Sequence, residues 1–244
     1  MSSYVLCLFE GVRTEINIAN NFFQHFVNDE KIILKASYGC NIYNLYNKVI
    51  QDDYFDTYEL ILEELNKKNN LKNYERDILD IDPERISDIY LFFDYDCHCN
   101  NADDNVLLDM LTVFDDPQDK GLLCISYPMV EAIKHQKGTE FTEELHTITD
   151  LVNYKRWINA NNEFSKRYSN WGLYDKCTWD EINKHHLARA NLLVNNALEL
   201  PSEVFTQKCI FQCQLNKHTP NSRVAVISSF PLMLYDYYGQ RIFD

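Results

Sequence analysis

Two apolar segments of strand length, each followed at once by acidic residues, constrain the fold of this chain most strongly. Residues 4–9 run into Glu10, and residues 86–93 run into Asp94 and Asp96. Near-continuous apolarity is typical of strands that are buried on both faces, as parallel sheets require. The carboxyl ends of parallel strands share one edge of a sheet, so the side chains that follow them converge there. The sequence therefore predicts a group of carboxylates at one edge of a parallel sheet.

Other segments extend this pattern into an alternation of strands and helices. Residues 31–36 and 122–125 have the length and apolarity of further strands, and residues 67–75 read as a polar loop. Apolar residues recur at helical spacing between the strands. The predicted helices cover residues 16–26, 42–50, 58–65, 106–114 and 129–137. This order indicates an α/β fold with a mainly parallel sheet flanked by helices.

The character of the sequence changes near residue 139. Beyond it, aromatic and leucine residues are spread through polar helical stretches, and residues 224–227 are compatible with either a strand or a helix start. We therefore predict an α/β domain over residues 1–138 and a mainly helical C-terminal region, residues 139–244, packed on it. No internal repeat is visible.

Charge and cysteine content limit the classes of function. The 244 residues contain 37 Asp plus Glu against 23 Lys plus Arg, which gives a formal net charge of -14. Such a chain does not coat nucleic acid by bulk electrostatics, so nucleic-acid contacts must be local or metal-assisted. The eight cysteines lie mostly among apolar neighbours in a chain too large to need disulfides, which indicates reduced thiols and a cytoplasmic location. We expect no signal peptide and no membrane span.

The acidic residues after the two strands have the chemistry of a metal site. Asp94 and Asp96 are two residues apart and share one face of an extended segment, and Asp-x-Asp at a strand end commonly binds Mg²⁺. Three carboxylates brought together repel one another, which favours a cation between them. Glu131, in the first turn after the fourth strand, either completes the ligand set or offsets a helix dipole. For Glu15, close behind Glu10, a structural role in the first turn of a helix is favoured.

One compact group of basic residues stands out in the C-terminal region. Lys184, His185 and Arg189, with His186 between them, could stabilise a scissile phosphate, or they could form a solvated helix face. The segment Cys97-His98-Cys99 lacks the spacing of zinc sites, so a zinc site is disfavoured. The sequence has no phosphate-loop motif, no His-Glu-x-x-His and no Gly-x-Ser-x-Gly, which removes the main signatures of nucleotide hydrolysis, zinc proteolysis and serine esterase chemistry.

The motif Glu10-Gly11-x-x-Thr14-Glu15, with Asp94-x-Asp96, resembles the Toprim fold. In that fold a strand-end glutamate and an Asp-x-Asp bind Mg²⁺ in topoisomerases, primases and OLD nucleases. The Glu-Gly-x-x-Thr-Glu form looks most like RloB-type and OLD-family-like Toprim proteins of bacterial antiphage defence. The segment 126–131, Ser-Tyr-Pro-Met-Val-Glu, is similar to a later motif of those relatives, so the resemblance covers roughly residues 4–137.

The resemblance implies a Mg²⁺-dependent nuclease, with Mn²⁺ as a substitute ion, that hydrolyses phosphodiesters of DNA or of RNA such as tRNA. Its metal ligands would be Glu10, Asp94, Asp96 and Glu131, with the three basic residues 184, 185 and 189 stabilising charge. The resemblance also implies a separate ABC-type or OLD-like ATPase partner, and it leaves open whether the chain forms a homo-oligomer. Two rivals remain: a catalytically degenerate Toprim subunit that binds or senses, and a phosphatase or phosphotransfer enzyme that uses the same carboxylates.

Overall fold

The computed structural model describes residues 3–26, 31–51 and 54–243. The chain folds into two compact units. The first unit contains residues 1–93 and 105–123, and the second contains residues 94–104 and 124–244. The domain boundary predicted at residue 138 stays a prediction. The two compact units divide the chain elsewhere, after residues 93, 104 and 123.

The structure is α/β, with a mainly parallel five-stranded sheet in the order β2-β1-β3-β5-β4 and a second sheet that pairs β6 with β7. The strands are β1 (Ser3–Phe9), β2 (Lys31–Ser37), β3 (Ile86–Asp94), β4 (Asp115–Asp116), β5 (Gly121–Ser126), β6 (Leu145–Thr147) and β7 (Arg223–Ala225). The α-helices in the described residues are α1 (Thr14–Phe26), α2 (Ile42–Val49), α3 (Thr57–Asn66), α4 (Asn73–Leu79), α5 (Asp104–Val113), α6 (Tyr154–Ala160), α7 (Lys176–Asn195), α8 (Gln207–Lys217) and α9 (Ser229–Tyr238). The predicted α/β class and mainly parallel sheet are confirmed.

The first unit is organised around β1, because this strand is paired on both sides. It runs parallel to β2, with Phe9 beside Ser37, and parallel to β3, with Phe9 beside Phe92. The Phe9 and Phe92 rings stack with their centroids 4.9 Å apart. A strand with neighbours on both edges and apolar residues on both faces is buried, which explains the continuous apolar run in the sequence.

Side-chain caps fix where two helices of the first unit begin. Asn41 accepts a hydrogen bond from the backbone N–H of Asn44 before α2, and Asp56 accepts one from the N–H of Glu59 before α3. Each cap satisfies a backbone donor that the first turn would leave without a partner. These polar residues therefore place the start of helices whose apolar faces are buried in the first unit.

The second unit is built on α7, whose 20 residues include Trp179, a fully buried side chain. The segment after β3 belongs to this unit: the Tyr95 N–H donates to the Ser126 carbonyl at 2.9 Å, and its ring lies 5.8 Å from that of Phe211. The pair of β6 and β7 is antiparallel, with Leu145 beside Ala225. The residues around the Asp-x-Asp segment are therefore held by the second unit.

Two sequence predictions differ from the structure, and one alternative that the sequence left open is decided. The helix predicted for residues 129–137 is only a 3₁₀ helix, Val130–Lys134, which follows a cis peptide bond between Tyr127 and Pro128. The loop predicted over residues 67–75 gives way to α4 at Asn73, where the buried Glu75 accepts the backbone N–H of Lys72 in a capping box. In the C-terminal region, residues 223–225 form a strand rather than a helix start.

Two further findings concern the whole described chain. All eight cysteines lie in described segments and are free thiols. Among the described residues, no helix combines the length and apolarity that crossing a membrane requires.

Candidate functional site

Glu10 follows β1 directly, as the sequence predicted. Its backbone N–H donates to the carbonyl of Phe92 at 2.9 Å, and its own carbonyl accepts from the N–H of Gly39 at 2.8 Å. The residue is partly exposed. Because β1 and β3 are parallel and Phe9 pairs with Phe92, Glu10 and Asp94 leave neighbouring strands at the same end.

The glycine after Glu10 makes room for a second carboxylate. A Cβ atom at Gly11 would come within 2.6 Å of the carboxyl carbon of Glu15, so any side chain there requires Glu15 to move. Glu15 lies in the first turn of α1 and is buried, with 8% of its surface exposed. This position at a helix N-terminus is one where a negative charge is stabilised.

Asp94 is the last residue of β3, and Asp96 lies two residues beyond it. Both are partly exposed. The Asp96 N–H donates to the Asp94 carbonyl at 3.0 Å, and the Asp96 carboxylate accepts the thiol hydrogen of Cys99. The Asp-x-Asp segment is therefore a tight turn that keeps both carboxylates near the strand end.

The two cysteines that follow Asp96 are partly buried free thiols. Burial, together with the charges of Asp104 and Asp96, raises the pKa of Cys97 to about 11. The ring of His98 is engaged elsewhere, with Nε2 at 2.6 Å from the carbonyl oxygen of Ile148.

Glu131 lies in the 3₁₀ helix after β5 and is almost completely buried, with 2% of its surface exposed. One carboxylate oxygen lies 2.7 Å from the Nζ atom of Lys155, whose side chain is 62% exposed. Glu131 therefore already has a cation beside it, which competes with the predicted role as a metal ligand.

The side-chain positions do not form a ready-made metal centre. Within residues 3–26, 31–51 and 54–243, no group of three or more His, Cys, Asp or Glu side chains is arranged to hold a metal ion. The carboxylates at the ends of β1 and β3 have the right chemistry for Mg²⁺, since this ion prefers oxygen ligands. Their roles as metal ligands stay a prediction.

The basic group on α7 is not a solvated face. His185 is 3% exposed and Arg189 is 2% exposed, so the solvated-face interpretation is wrong for both residues; Lys184 is partly exposed. Burial, together with the charge of Arg189, lowers the pKa of His185 to about 4. We therefore expect a neutral imidazole at neutral pH, which cannot supply positive charge to a phosphate.

Arg189 binds main-chain oxygens from several segments of the second unit. Its guanidinium donates to the carbonyl of His135 at 2.9 Å, to the carbonyl of Thr142 at 3.1 Å and to the side-chain oxygen of Gln136 at 2.8 Å. Burial lowers its pKa to about 10, against the opposing effect of Glu144, so it remains charged at neutral pH. These contacts use Arg189 to hold loops together rather than to receive a substrate.

A chain of buried polar side chains continues from Arg189. His135 lies between Tyr154, 2.9 Å from Nδ1, and Glu144, 3.2 Å from Nε2. Burial lowers the pKa of His135 to about 4 despite the carboxylate, while hydrogen bonds from His135, Lys137 and Thr142 outweigh burial and lower that of Glu144 to about 2. A neutral ring satisfies both neighbours when Nε2 carries the proton and Nδ1 accepts from the tyrosine.

His186, also fully buried, has a donor on each side of its ring. The backbone N–H of Ser228 points at Nδ1 at 3.1 Å, and the side-chain nitrogen of Gln136 lies 2.9 Å from Nε2. A neutral imidazole has one acceptor nitrogen, so only one of these contacts is a hydrogen bond in a given tautomer. Burial lowers the pKa of His186 well below its usual value, so a second ring proton is strongly disfavoured.

Sequence patterns did not reveal this network. Its members are His135, Gln136, Glu144, Tyr154, His186 and Arg189. Only His186 and Arg189 stood out in the sequence, because they belong to the basic group on α7. The others come from separate loops whose positions depend on the fold.

Comparison of the chain with models of known protein families, with curated proteins and with solved structures finds no match. The Toprim resemblance therefore rests on residues 10–15, 94–96 and 126–131 alone.

Proposed function

We propose that this protein is a Mg²⁺-dependent nuclease of the Toprim type, with Glu10, Asp94 and Asp96 as its metal ligands. The observation that carries the proposal is the parallel pairing of β1 with β3, since one strand runs into Glu10 and the other ends at Asp94. Carboxylates that leave neighbouring strands at the same end are well situated to share a cation.

The donor chemistry fits Mg²⁺, but the side chains would have to turn toward the ion when it binds. Bound Mg²⁺ would polarise a phosphoryl oxygen and lower the pKa of an attacking water. Glu10, Asp94 and Asp96 would hold the ion. Glu131 joins the ligand set only if it leaves Lys155, whereas the buried His185 and Arg189 are left out of the proposed site.

The biological setting belongs to the same proposal. The resemblance to defence-associated Toprim proteins supports an effector that acts on DNA or RNA together with a separate ATPase. The formal net charge of -14 supports weak binding of nucleic acid until a partner or a metal ion assists.

Cleavage by the purified protein tests the proposal. Plasmid, single-stranded DNA and total tRNA are incubated with Mg²⁺, with Mn²⁺ and with EDTA. We expect metal-dependent cutting of at least one substrate by the native protein and by Asp109→Asn, a control at an exposed position of α5. Asp94→Asn should cut at least about 100-fold more slowly, because a lost metal ligand removes transition-state stabilisation.

The two rival functions give different results in the same assay. A degenerate binding subunit cuts nothing under any condition, although it keeps its fold. A phosphatase releases phosphate from small phosphoesters and leaves the polymers intact. Equal cutting by the native protein and Asp94→Asn would contradict the proposal.

A further inference from the structure

A short part of the second unit is basic although the chain as a whole is acidic. Between Tyr154 and Trp171 the sequence has four basic residues, Lys155, Arg156, Lys166 and Arg167, and one acidic residue. The same 18 positions include four asparagines and two tryptophans. Cations, amides and aromatic rings together are the side chains that bind single-stranded nucleic acid.

The packing of α6 determines which of these residues face solvent. Tyr154 and Ile158 are buried together with Phe164 in one apolar cluster. Lys155, Arg156 and Asn159 lie on other sides of the helix and are exposed. The basic side chains are therefore held on a helix that its apolar face anchors to the unit.

Lys134 connects this helix to the turn that carries Trp171. Its ammonium group donates to the Asn159 side-chain oxygen at 2.9 Å and lies 4.0 Å from the centre of the Trp171 ring. Burial lowers the pKa of Lys134, and the nearby Lys155 lowers it further, although Glu131 opposes both. The anion beside Lys155 is Glu131, 2.7 Å from its Nζ atom. Lys134 is itself buried, with 8% of its surface exposed, so it holds Asn159 and the Trp171 ring in place rather than facing solvent.

We propose that Lys155, Arg156 and Trp171, here called the α6 basic surface, bind single-stranded nucleic acid, with Lys134 and Asn159 holding the Trp171 ring beside α6. Lys155 and Arg156 bind phosphates, and Trp171 supplies a ring on which a base stacks. This inference rests on the proposed nuclease function, since it identifies where the substrate strand lies. Lys155 also pairs with Glu131, so the surface reaches a predicted metal ligand within the same unit.

Single strands are favoured over duplexes because of the aromatic residues. Trp157 is 36% exposed and Trp171 is partly exposed, so both offer ring surface to an unstacked base. Bases in a duplex are stacked on one another and present only their edges. A duplex would therefore use the cations of this surface and leave the rings unused.

Binding in the absence of metal tests the inference independently of cleavage. Fluorescence anisotropy of a labelled 20-nucleotide single strand and of the matching duplex is measured in EDTA at several salt concentrations. The double variant Lys155→Glu, Arg156→Glu should bind the single strand at least about 10-fold more weakly, with a log–log salt slope reduced by about 1.4, because two phosphate contacts are lost. The matched control Lys176→Glu reverses an exposed charge at the start of α7 and should bind like the native protein.

A second variant tests the stacking step. Trp171→Ala should weaken binding of the single strand about 5-fold or more, while binding of the duplex changes little. Thermal unfolding of each variant confirms that the fold is retained. Because Trp171 is only partly buried, its removal should leave the unit folded.

The outcomes separate this inference from the proposed function. Binding that depends on the α6 basic surface without any metal-dependent cleavage would support the inference and contradict the nuclease. Cleavage by the double variant at the native rate, with native binding, would overturn the inference and leave the nuclease standing. Binding to anionic lipid vesicles in place of oligonucleotides would also overturn it.

Discussion

Glu75 in the first unit and Glu144 in the second are both buried carboxylates, but they are held in different ways. Glu75 accepts from the Ser37 hydroxyl at 2.7 Å, the Lys68 ammonium at 2.6 Å and a backbone N–H. Burial alone would raise its pKa, but the hydrogen bond from Lys68 and the other donors lower it. None of these donors changes its charge near neutral pH.

Glu144, in contrast, depends on partners that include a histidine. Its carboxylate lies 3.2 Å from His135 Nε2, accepts a hydrogen bond from the Thr142 hydroxyl at 2.9 Å, and lies 3.1 Å from the Nζ atom of Lys137. His135 is connected through Arg189 and Gln136 to the fully buried His186. The comparison indicates that acid should destabilise the second unit more than the first.

The largest expected effect is the loss of stability on acidification. The folded-state pKa values of His135 and His186 are lowered from 6.5, so the unfolded chain takes up protons first as the pH falls. The contribution of His135 to stability is fully present above about pH 6.5 and is lost as the pH falls toward its folded-state pKa of about 4, at up to about 1.4 kcal/mol per pH unit. His186 contributes in the same direction. Urea unfolding at pH 7, 6 and 5 should show a progressive loss of stability, to which His135 contributes about 2 kcal/mol between pH 7 and pH 5.

A variant assigns this pH dependence to the network. In the His186→Gln variant the side chain at this position cannot titrate. The slope of the unfolding free energy against pH should therefore fall by the contribution of one titrating group, even if the unfolding free energy at pH 7 is also lower. A slope equal to that of the native protein would show that the buried histidine does not cause the acid sensitivity.

Removal of Arg189 should have the next largest effect. Arg189→Leu leaves the oxygens of His135, Gln136 and Thr142 without their donor in a buried region. Loss of a buried charged partner typically costs about 3 kcal/mol. Chemical denaturation measures this change, and Arg223→Leu, at an exposed position of β7, is the control. A loss below about 1 kcal/mol would contradict a structural role for Arg189.

Glu75→Gln tests the carboxylate of the first unit. The amide keeps the size of the side chain but removes the charge that pairs with Lys68, so we expect a loss of about 2 kcal/mol at pH 7. Urea unfolding with Glu59→Gln as an exposed control measures it. If Glu75→Gln also abolished the pH dependence between pH 7 and pH 5, the contrast between the two units would be wrong.

Gly11→Ala should have the smallest effect. The new Cβ atom displaces the end of a flexible side chain, that of Glu15, rather than backbone. We expect a change in unfolding free energy below about 1 kcal/mol, measured against Gly138→Ala, where a Cβ atom meets no neighbour. A larger loss would show that the position of the Glu15 carboxylate contributes strongly to stability.

The contrast between units also explains what the sequence could predict. The strands β1 and β3 were predictable because burial on both faces leaves a continuous apolar run, and Glu10 and Asp94 interrupt it visibly. The 3₁₀ helix at Val130–Lys134 was predicted as an α-helix because Ser126 and Pro128 resemble helix-start residues. The cis peptide before Pro128 is not visible in such a pattern.

The buried network could not be predicted because its parts are distant in sequence. His135 and Arg189 are joined by a hydrogen bond across 54 positions. On the polar helix α7, His186 and Arg189 look solvated when only the local sequence pattern is considered. The fold alone brings them together and excludes water from them.

The central claim, that the carboxylates at the strand ends bind a divalent ion, is tested most directly by Mn²⁺ binding followed by electron paramagnetic resonance. The native protein should bind Mn²⁺ in a form that Mg²⁺ displaces, and Asp109→Asn should bind it equally. Asp94→Asn should lose this binding while its thermal unfolding stays close to that of the native protein. Equal Mn²⁺ binding by the native protein and Asp94→Asn, or none by either, would contradict the claim.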